Sequence, residues 1–374
     1  MYASFLGISG ALGLDVFEQP VTSDFSSDLL KLKLVCITKV ALDITNFMFR
    51  KLHPGVCLGT ASDRYAGWLG QIYSPERFGS KISRRSKTVG GQTVTEEFLP
   101  VESVQEYFEH FCILELDFTF YSLLLDDHSN STPTLRVLET YRKHLKDSDR
   151  IVLKVPQTVF ARKLWKGGKF AENPGYLNAE IFTQNFYTPA IELLGPTLQG
   201  FIFEQEYQAK KERTSPDLFV SSLERFFETI PKDDRYHIEV RTEALLTNAY
   251  FEVLKKHGIG QVLSHWTWLP SLRQQLSRAS GRFSNAGKNA IIRLMTPRGM
   301  RYEEAYLKAF PFDKMVEGMM SPRMPEETAE IMLAAVKEEV EANVIINNRA
   351  GGNAPLIAQK VAGKFSELVS RSLP

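Results

Sequence analysis

Two carboxylates stand two positions apart in the most regular stretch of the chain, residues 113–121. Apolar residues alternate there with four polar ones, which are Glu115, Asp117, Thr119 and Tyr121. An alternation with period two predicts a β-strand, in which neighbours on one face lie roughly 6.6 Å apart. That spacing would let Glu115 and Asp117 share a ligand, a metal ion or a proton. A strand at the edge of a sheet, with its polar face in water, is the alternative.

The surroundings of this strand favour a polar face that looks into a cavity. Helical patterns cover residues 101–111 before it and residues 133–146 after it, and the second begins with Thr132 and Pro133. A threonine cap followed by proline is a typical helix start. Strands that alternate with helices are usually covered by them, so the polar face is left for the interior.

The same alternation of strand and helix continues along the chain. Strands are predicted at 56–58, 113–121, 150–156, 199–206, 236–241, 260–266, 289–295 and 343–348. Helices are predicted at 101–111, 133–146, 178–194, 217–230, 244–257, 271–280, 328–342 and 354–368. Eight such units predict an α/β fold, a (β/α)8 TIM-type barrel that tolerates an irregular strand, over residues 53–374. Residues 1–52 are interpreted as an N-terminal extension of unknown role. An open doubly wound sheet is disfavoured, because no G-x-G-x-x-G turn follows the first strand.

Polar side chains end most of the predicted strands. In barrels of this type the active site lies at the carboxyl ends of the strands. One mouth lined by acids and bases would explain so many charges inside apolar runs, since unpaired buried charges are costly. Structural ion pairs inside the barrel are the alternative. The candidate catalytic residues are Glu115, Asp117, Lys154, Glu239 and Arg241.

Further residues near the strand ends are candidates for substrate binding. After the last strand, a glycine-rich turn precedes Asn353 and Pro355, a cap and a first-turn proline. Free amides at a helix start bind anions, and the last loops of barrels often hold phosphate. The candidates are Tyr65, Trp68, Tyr73, Tyr121, Gln205, Arg293, Asn347, Asn348 and Gly352.

Two loops predicted on the same face are rich in basic residues. Residues 61–95 and 157–177 together carry ten Lys or Arg against three Asp or Glu. Such loops are usually solvated surface, but two of them on one face favour an anionic ligand, either a phosphorylated small molecule or a nucleic acid. The loops 77–87 and 162–169 would attract the anion.

The net charge, the cysteines and the distribution of apolar residues limit the partners, the cofactors and the location that we expect. The net charge is only +1, so any attraction to polyanions must be local. The three cysteines, Cys36, Cys57 and Cys112, have no metal-site spacing and are expected to be free thiols in a reducing compartment. No apolar run is long enough for a membrane span, and residues 1–30 lack the basic start of a signal peptide, so we expect a cytoplasmic location without a membrane partner. No metal ligands are assigned, while a divalent cation such as Mg²⁺ or Mn²⁺ stays open as cofactor.

An ordered set of short motifs resembles the YecE-like family, a family of unknown function with a TIM-type barrel. Gly59-Thr60-Ala61-Ser62 with Trp68, Gly70, Ile72 and Tyr73 resembles its opening motif, and residues 115–121 resemble its E-V-N-S-T-F-Y strand. Later blocks follow in the same order within residues 56–365: Lys154-Val155-Pro156, Glu239-Val240-Arg241, Arg293, and Asn347-Asn348 to Ala354-Pro355. The resemblance implies the barrel but no reaction.

This chain departs from the family pattern at two places. Asp117 stands where the family usually has asparagine, which adds a negative charge at the mouth. Glu204-Gln205-Glu206-Tyr207 stands where the family has Q-L-P-P, so only Gln205 matches.

Three functional hypotheses follow from these residues. The first is a hydrolase that acts by acid–base or metal-assisted chemistry on a phosphate-bearing anion, a sugar phosphate or a nucleic acid. The second is a glycosidase that uses a carboxylate pair. The third is a barrel that binds a nucleic acid or another ligand without catalysis. The oligomeric state is left open.

Overall fold

A computed structural model describes residues 44–372 of the chain. Most of the extension, residues 1–43, lies outside the described residues, so the boundary at residue 52 stays a prediction. Residues 44–52 pack onto the barrel: Phe49 and Leu52 are buried, and Arg50 hydrogen-bonds the Phe108 carbonyl at 2.6 Å and the Asp149 carboxylate at 2.9 Å.

Eight parallel strands close into a barrel, which confirms the predicted TIM-type fold. Each barrel strand pairs with the barrel strand that follows it in the chain, and the ring closes where the first, Val56–Ala61, pairs with the last, Glu341–Ile346. The barrel strands are β1 Val56–Ala61, β4 Ile113–Leu116, β5 Arg150–Lys154, β8 Leu198–Gln205, β9 Tyr236–Val240, β10 Gly260–His265, β11 Asn289–Leu294 and β12 Glu341–Ile346. Two antiparallel hairpins, β2 Ser83–Val89 with β3 Gln92–Phe98 and β6 Lys163–Lys166 with β7 Lys169–Glu172, are inserted after β1 and β5.

Helices alternate with the barrel strands, and several begin at a polar cap. Thr132, Asn178 and Asn353, for instance, accept a hydrogen bond from the amide three residues on, which satisfies a donor that the first turn leaves free. The α-helices are Pro75–Phe78, Val104–His110, Pro133–Arg142, Gln157–Phe160, Ala179–Phe182, Thr188–Leu194, Pro216–Thr229, Asn248–His257, Leu272–Arg278, Tyr302–Ala309, Met324–Lys337 and Ala354–Arg371.

The predicted strand 113–121 is wrong over its second half. The extended strand ends at Leu116, and Asp117–Tyr121 form a 3-10 turn. The hydroxyl of Thr119 lies 3.0 Å from the Leu116 carbonyl oxygen and 2.7 Å from the Lys154 carbonyl oxygen, so a side chain takes over from the strand ladder. Glu115 and Asp117 therefore do not stand side by side on one strand face.

Other boundaries also differ from the predictions. The helix predicted at 178–194 contains a π-helical turn, Thr183–Tyr187, and the helix predicted at 328–342 begins at Met324 and ends at Lys337. Glu339 has φ +56°, which stops that helix before β12 begins. The loop predicted between residues 295 and 327 contains the helix Tyr302–Ala309, and the two basic loops contain the hairpins.

The barrel interior is layered along its axis. A middle layer is apolar and includes Val152, Ile202, Val262, Ile291 and Ile345. Because side chains alternate along each strand, residues two positions later on β4, β8 and β11 again face inward, toward the carboxyl ends. Glu115, Glu204 and Arg293 occupy these positions.

Two further expectations concern thiols and membranes. Cys57 and Cys112 are free and buried, as expected, while Cys36 lies outside the described residues. Within residues 44–372, none of the helices combines the length and the apolar character that crossing a membrane requires.

Candidate active site

Six ionisable side chains meet at the carboxyl end of the barrel interior. We call this set the inner network: Glu115, Lys154, Glu204, Glu239, Arg241 and Arg293. They come from the ends of β4, β5, β8, β9 and β11 and from the residue after β9. Five of the six, all but Glu204, are candidate site residues from the sequence, and Glu204 joins them because it pairs in register with Glu239 on the neighbouring strand.

Arg293 is the centre of the inner network. Its Nε and Nη2 donate to the two oxygens of Glu115 at 2.8 and 2.6 Å, which is a bidentate pair. Its Nη1 contacts Glu239 and lies 3.3 Å from Glu204. Glu115 is 0% exposed and Arg293 is 1% exposed, so this pair is fully desolvated.

Three carboxylates and three cations balance in the inner network. Lys154 contacts Glu204 and lies with its Nζ 4.0 Å from the centre of the Phe120 ring, while Arg241 donates to Glu204 at 2.7 Å. Burial raises the pKa of Glu115, and burial lowers the pKa of Lys154. Burial would also raise the pKa of Glu204, but Arg241, Lys154 and Arg293 hold it well below its usual range. Two buried atoms of the network, Glu239 Oε1 and Arg241 Nε, have no hydrogen-bond partner among the described residues.

A pocket of about 580 Å³ opens beside this network, above β1 and β4. We call it the mouth pocket. Its walls come from residues 62–65 after β1, from hairpin strand β2, from residues 116–121, and from the region around Tyr302 and Arg349. Its volume lies in the usual range for small-molecule sites. Asp117, Tyr65 and Tyr121 line it, whereas the six residues of the inner network do not.

Asp63 is a buried acid in the wall of the mouth pocket. It is 1% exposed, and its Oδ1 accepts a hydrogen bond from Tyr141 at 2.8 Å. Its Oδ2 has no hydrogen-bond partner among the described residues. Burial raises the pKa of Asp63 to about 6, although Tyr141 and Arg64 act in the opposite direction. A carboxyl group with a pKa near neutrality can both give and take a proton.

Asp117 is held by a strained neighbour. Ser62 has φ +69°, an unusual backbone conformation for a residue with a side chain, and its hydroxyl donates to Asp117 at 2.7 Å. Backbone strain of this kind is often found at functional sites. The mouth pocket thus contains two aspartates, each held by one hydroxyl group, in addition to Glu96 of the hairpin.

Two guanidinium groups of the mouth pocket have no ion pair within residues 44–372. Arg64 donates from its Nε to the Leu99 carbonyl oxygen at 2.6 Å, and the guanidinium carbon of Arg349 lies 4.4 Å from the centre of the Tyr302 ring. The Nε of Arg349 is buried without a hydrogen-bond partner in that part of the chain. Both cations can therefore receive an anionic ligand.

Most cations of the two basic loops are already paired. In the first hairpin, Arg84 contacts Glu97 at 2.7 Å, and Arg85 and Lys87 contact Glu96 at 2.9 and 3.2 Å. The first loop was counted only as far as residue 95, so the ratio of ten cations to three anions leaves out Glu96 and Glu97, which follow directly. With Glu96 and Glu97 included, the two loops carry ten cations to five anions, so their positive excess falls from seven to five.

The family model described as "Protein of unknown function DUF72" matches residues 57–373. The chain belongs to this family. The predicted YecE-like resemblance is thereby confirmed, because YecE belongs to the same family.

Solved structures agree with this assignment at the level of the fold. A DUF72 family protein from Thermotoga maritima superposes with a TM-score of 0.50 at 18% identity, covering 84% of this chain and 99% of that chain. A DUF72 family protein from Enterococcus faecalis gives a TM-score of 0.47 at 15% identity, covering 83% of this chain and 95% of that chain. The curated proteins contain no match to this chain. At 18% identity, the likeness to the Thermotoga maritima protein supports the barrel fold and carries no reaction.

Several residues of the DUF72 motifs lie in packing positions rather than on the pocket surface. Trp68 is fully buried and donates to Asn348 at 3.2 Å, and the Tyr73 hydroxyl donates to the Asp63 carbonyl oxygen at 2.7 Å. Gln205 is buried and donates to Glu206 at 2.9 Å. These contacts position the loop after β1 and the end of β8.

The turn after β12, another DUF72 motif, uses its polar groups internally. The Asn347 side chain accepts from the Arg349 amide, and the Asn348 side chain accepts from the Ala354 amide. The Gly352 amide donates to the Asn348 carbonyl oxygen at 2.7 Å. A Cβ at Gly352 would lie 2.4 Å from the Lys314 carbonyl oxygen, so glycine is required for packing. Of the amides near Gly351–Asn353, which are the predicted anion site, those of Gly351 and Gly352 are therefore occupied.

The carboxylates of the inner network do not fit a metal ion, because guanidinium and ammonium groups occupy the positions a cation would take. Among residues 44–372, a group of three potential ligands within common reach of an ion is formed by Glu224, Glu228 and His257. Lys256 already bridges both of these glutamates, at 2.5 and 3.1 Å. They lie near the ends of helices that run back toward the amino ends of the strands, away from the mouth.

Sequence reasoning did not select Asp63, Arg349, Tyr302 or Glu204 as site residues. Asp63 and Glu204 carried a usable signal, because both stand at strand ends. Arg349 follows β12 within the motif that was already noticed. Tyr302 lies in a helix that was interpreted as loop, so its position had no sequence signal.

Proposed function

We propose that the protein is a hydrolase for a small phosphate-bearing substrate that binds in the mouth pocket. Asp63 and Asp117 would act as the acid–base pair, and Arg64 and Arg349 would hold the anionic group. The observation that carries the proposal is the meeting, in one pocket, of two guanidinium groups without carboxylate partners and a buried aspartate whose pKa is about 6. The proposal uses no metal ion.

Binding of the anion is supported by the state of the two arginines. A guanidinium group binds phosphate through short, paired hydrogen bonds, and these are strongest when no internal carboxylate competes. The stacking of Arg349 on Tyr302 fixes the plane of its guanidinium group, which lowers the entropy that binding would otherwise cost. Exposed Tyr121 and half-buried Tyr65 supply ring surface for the rest of a small substrate.

Proton transfer is supported by the different surroundings of the two aspartates. Asp63 is buried with a raised pKa, whereas Asp117 is half-buried and accepts a hydrogen bond from Ser62. Different environments for two neighbouring acids are the usual way to obtain one proton donor and one acceptor. In a hydrolysis, the ionised aspartate would take a proton from the attacking water while the protonated one gives a proton to the leaving oxygen.

The inner network would position the pocket rather than react. It is neutral overall and closed, but it anchors the ends of five strands, including β4, which leads into Asp117. Sequence reasoning assigned catalysis to Glu115, Lys154, Glu239 and Arg241. We propose instead that these four residues hold the floor of the site.

The test is hydrolysis of a panel of chromogenic aryl phosphates and aryl glycosides near pH 6. We expect turnover of aryl phosphates, with kcat/KM lowered about 100-fold or more in Asp63→Asn and Asp117→Asn. Arg349→Met should raise KM for the phosphates. Arg84→Ala is the control, because Arg84 borders the same pocket but is exposed and paired with Glu97.

The aromatic lining also suits a sugar ring, which keeps the glycosidase hypothesis as the second candidate. Turnover of neutral aryl glycosides that is lost in the aspartate variants and unchanged in Arg349→Met would replace the phosphate proposal by that one. Binding of phosphorylated sugars without turnover would favour the non-catalytic barrel.

A further inference from the structure

A second pocket of about 500 Å³ adjoins the mouth pocket, and Tyr65, Glu96 and Phe98 line both. It is bounded by residues 65–69 after β1, by residues 95–98 of β3 and by residues 310–313. We call it the hairpin pocket. Its volume is within the range of small-molecule sites, and the proposed hydrolase does not use it.

The walls of the hairpin pocket combine aromatic rings with carboxylates. The rings are those of Tyr65, Phe98, Phe310 and Phe312, and the Tyr65 and Phe312 rings meet edge to face at 5.3 Å. The Phe98 ring already carries an internal cation, because the guanidinium carbon of Arg85 lies 4.3 Å from its centre, so the other three rings are the ones that a ligand can meet. The carboxylates are those of Glu96, Glu97 and Asp313, and no Lys or Arg lines the pocket.

One ion pair of the hairpin points from the mouth pocket toward the hairpin pocket. Arg84 of β2 lines the mouth pocket and its partner Glu97 of β3 lines the hairpin pocket, whereas Glu96, which is paired with Arg85 and Lys87, lines both. The pair of Arg84 with Glu97 is thus a dipole whose negative end faces the hairpin pocket. A group in that pocket is therefore closer to the Glu97 carboxylate than to its cation, although the hairpin has little net charge.

Acceptor capacity remains at this negative side. Glu97 uses one oxygen, Oε1, to accept from Arg84, and its side chain is partly exposed. The Asp313 carboxylate makes no ion pair with any residue of the described part of the chain. Burial would raise the pKa of Glu96, but hydrogen bonds from Tyr306 and Arg85 lower it, so this third carboxylate is also ionised.

The wall formed by residues 310–313 is fixed in place. The Asp313 carbonyl oxygen accepts a hydrogen bond from the Gln71 side chain at 3.0 Å. The Phe312 carbonyl oxygen accepts one from the Asn353 side chain at 2.8 Å. A Cβ at Gly67 would lie 2.7 Å from the Pro311 carbonyl oxygen, so the two walls meet closely at that glycine. The pocket is thus preformed.

We propose that the hairpin pocket binds an organic cation, an amine or a quaternary ammonium group. Aromatic rings attract such cations through their faces, and ionised carboxylates supply the opposite charge. Neither feature alone would select a cation, because aromatic rings alone also bind neutral apolar groups and carboxylates alone are well solvated by water. This inference stands apart from the proposed hydrolase and holds whatever reacts in the mouth pocket.

The test is a calorimetric or NMR titration with choline and with its neutral isostere, 3,3-dimethylbutan-1-ol, on the full chain. We expect choline to bind about tenfold or more tightly than the neutral compound, since charge is the difference between the two. Asp313→Asn and Phe310→Leu should each weaken choline binding severalfold. Glu102→Gln is the matched control, because Glu102 is an exposed acid paired with Lys81 outside the pocket.

Three results would overturn the inference. They are equal binding of choline and the neutral isostere, absence of choline binding to a folded wild-type protein, and choline binding that Asp313→Asn and Phe310→Leu leave unchanged. Circular dichroism of each variant shows that a loss of binding is not a loss of fold. A loss of phosphate hydrolysis in the mouth pocket would leave this test unaffected.

Discussion

The inner network and the mouth pocket are neighbours built from the same residue types, but they use their charges in opposite ways. In the inner network every charged group has a partner of opposite sign, and the set is closed and balanced. In the mouth pocket Arg64 and Arg349 have no carboxylate partner within the described chain.

This difference separates structural charge from functional charge. Removing one member of a paired, desolvated network strongly destabilises the fold, because the charge of its partner is then buried alone. Unpaired groups at a pocket surface cost less to remove from the fold, but they are the groups that a ligand can satisfy. Substitutions in the two regions should therefore affect different quantities.

The largest effect is expected for Arg293→Met. It leaves the buried Glu115 without its bidentate partner, and we expect the free energy of unfolding to fall by about 3–5 kcal/mol. Denaturant unfolding followed by circular dichroism measures this. The matched variant Arg349→Met, in the mouth pocket, should change the unfolding free energy by less than about 1 kcal/mol. Equal losses in both variants would remove the distinction between the two regions.

A smaller effect of opposite sign is expected for Asp63→Asn. The pKa of Asp63 is raised in the folded protein from 3.8 to about 6, so the folded state prefers the protonated acid. Its contribution to stability is thus fully present below pH 3.8 and is lost as the pH rises through 6. The variant, which stays neutral, should be more stable than wild type at pH 8 by up to about 3 kcal/mol, because one pKa unit is about 1.4 kcal/mol.

The pH dependence distinguishes this prediction from a general packing effect. The advantage of Asp63→Asn should shrink between pH 6 and pH 4 and be absent near pH 3.8. A gain that is the same at pH 4 and pH 8 would mean that charge at Asp63 is not its cause. Asp117→Asn, at the other aspartate of the pocket, is the control.

The smallest effect is expected for Arg84→Ala in the hairpin. Its ion pair with Glu97 is exposed on both sides, so the free energy of unfolding should change by about 0–1 kcal/mol and less in high salt. If this variant instead abolished anion binding, the hairpin and not Arg349 would be the anion site.

The barrel could be predicted from the sequence because each strand is a short apolar run followed by a helix, and eight repeats close a ring. The residues of the inner network could also be selected, since Glu115, Glu239 and Arg293 are charges at the ends of apolar strands. Their pairing could not, because Glu115 and Arg293 lie on β4 and β11, which do not adjoin in the barrel. Closure of the ring brings them together.

The mouth pocket was harder to predict for a local reason. The sequence alternates with strand periodicity as far as Tyr121. In the structure the strand ends at Leu116, where the Thr119 hydroxyl stabilises a turn, so Asp117 does not lie beside Glu115. The raised pKa of Asp63 results from burial, which residues distant in the chain provide, and its hydrogen-bond donor Tyr141 lies 78 residues away. The hairpin cations Arg84 and Arg85 are paired with Glu97 and Glu96, and the sequence did not show this cross-strand register.

The most direct test of the distinction between the two regions is a crystal structure of the protein soaked with tungstate, a heavy mimic of phosphate. The account predicts one strong anomalous peak in the mouth pocket, in contact with Arg64 or Arg349, which disappears in Arg349→Met crystals. A peak on the paired arginines of the hairpin, or none in the mouth pocket at concentrations that label other surface sites, would contradict it.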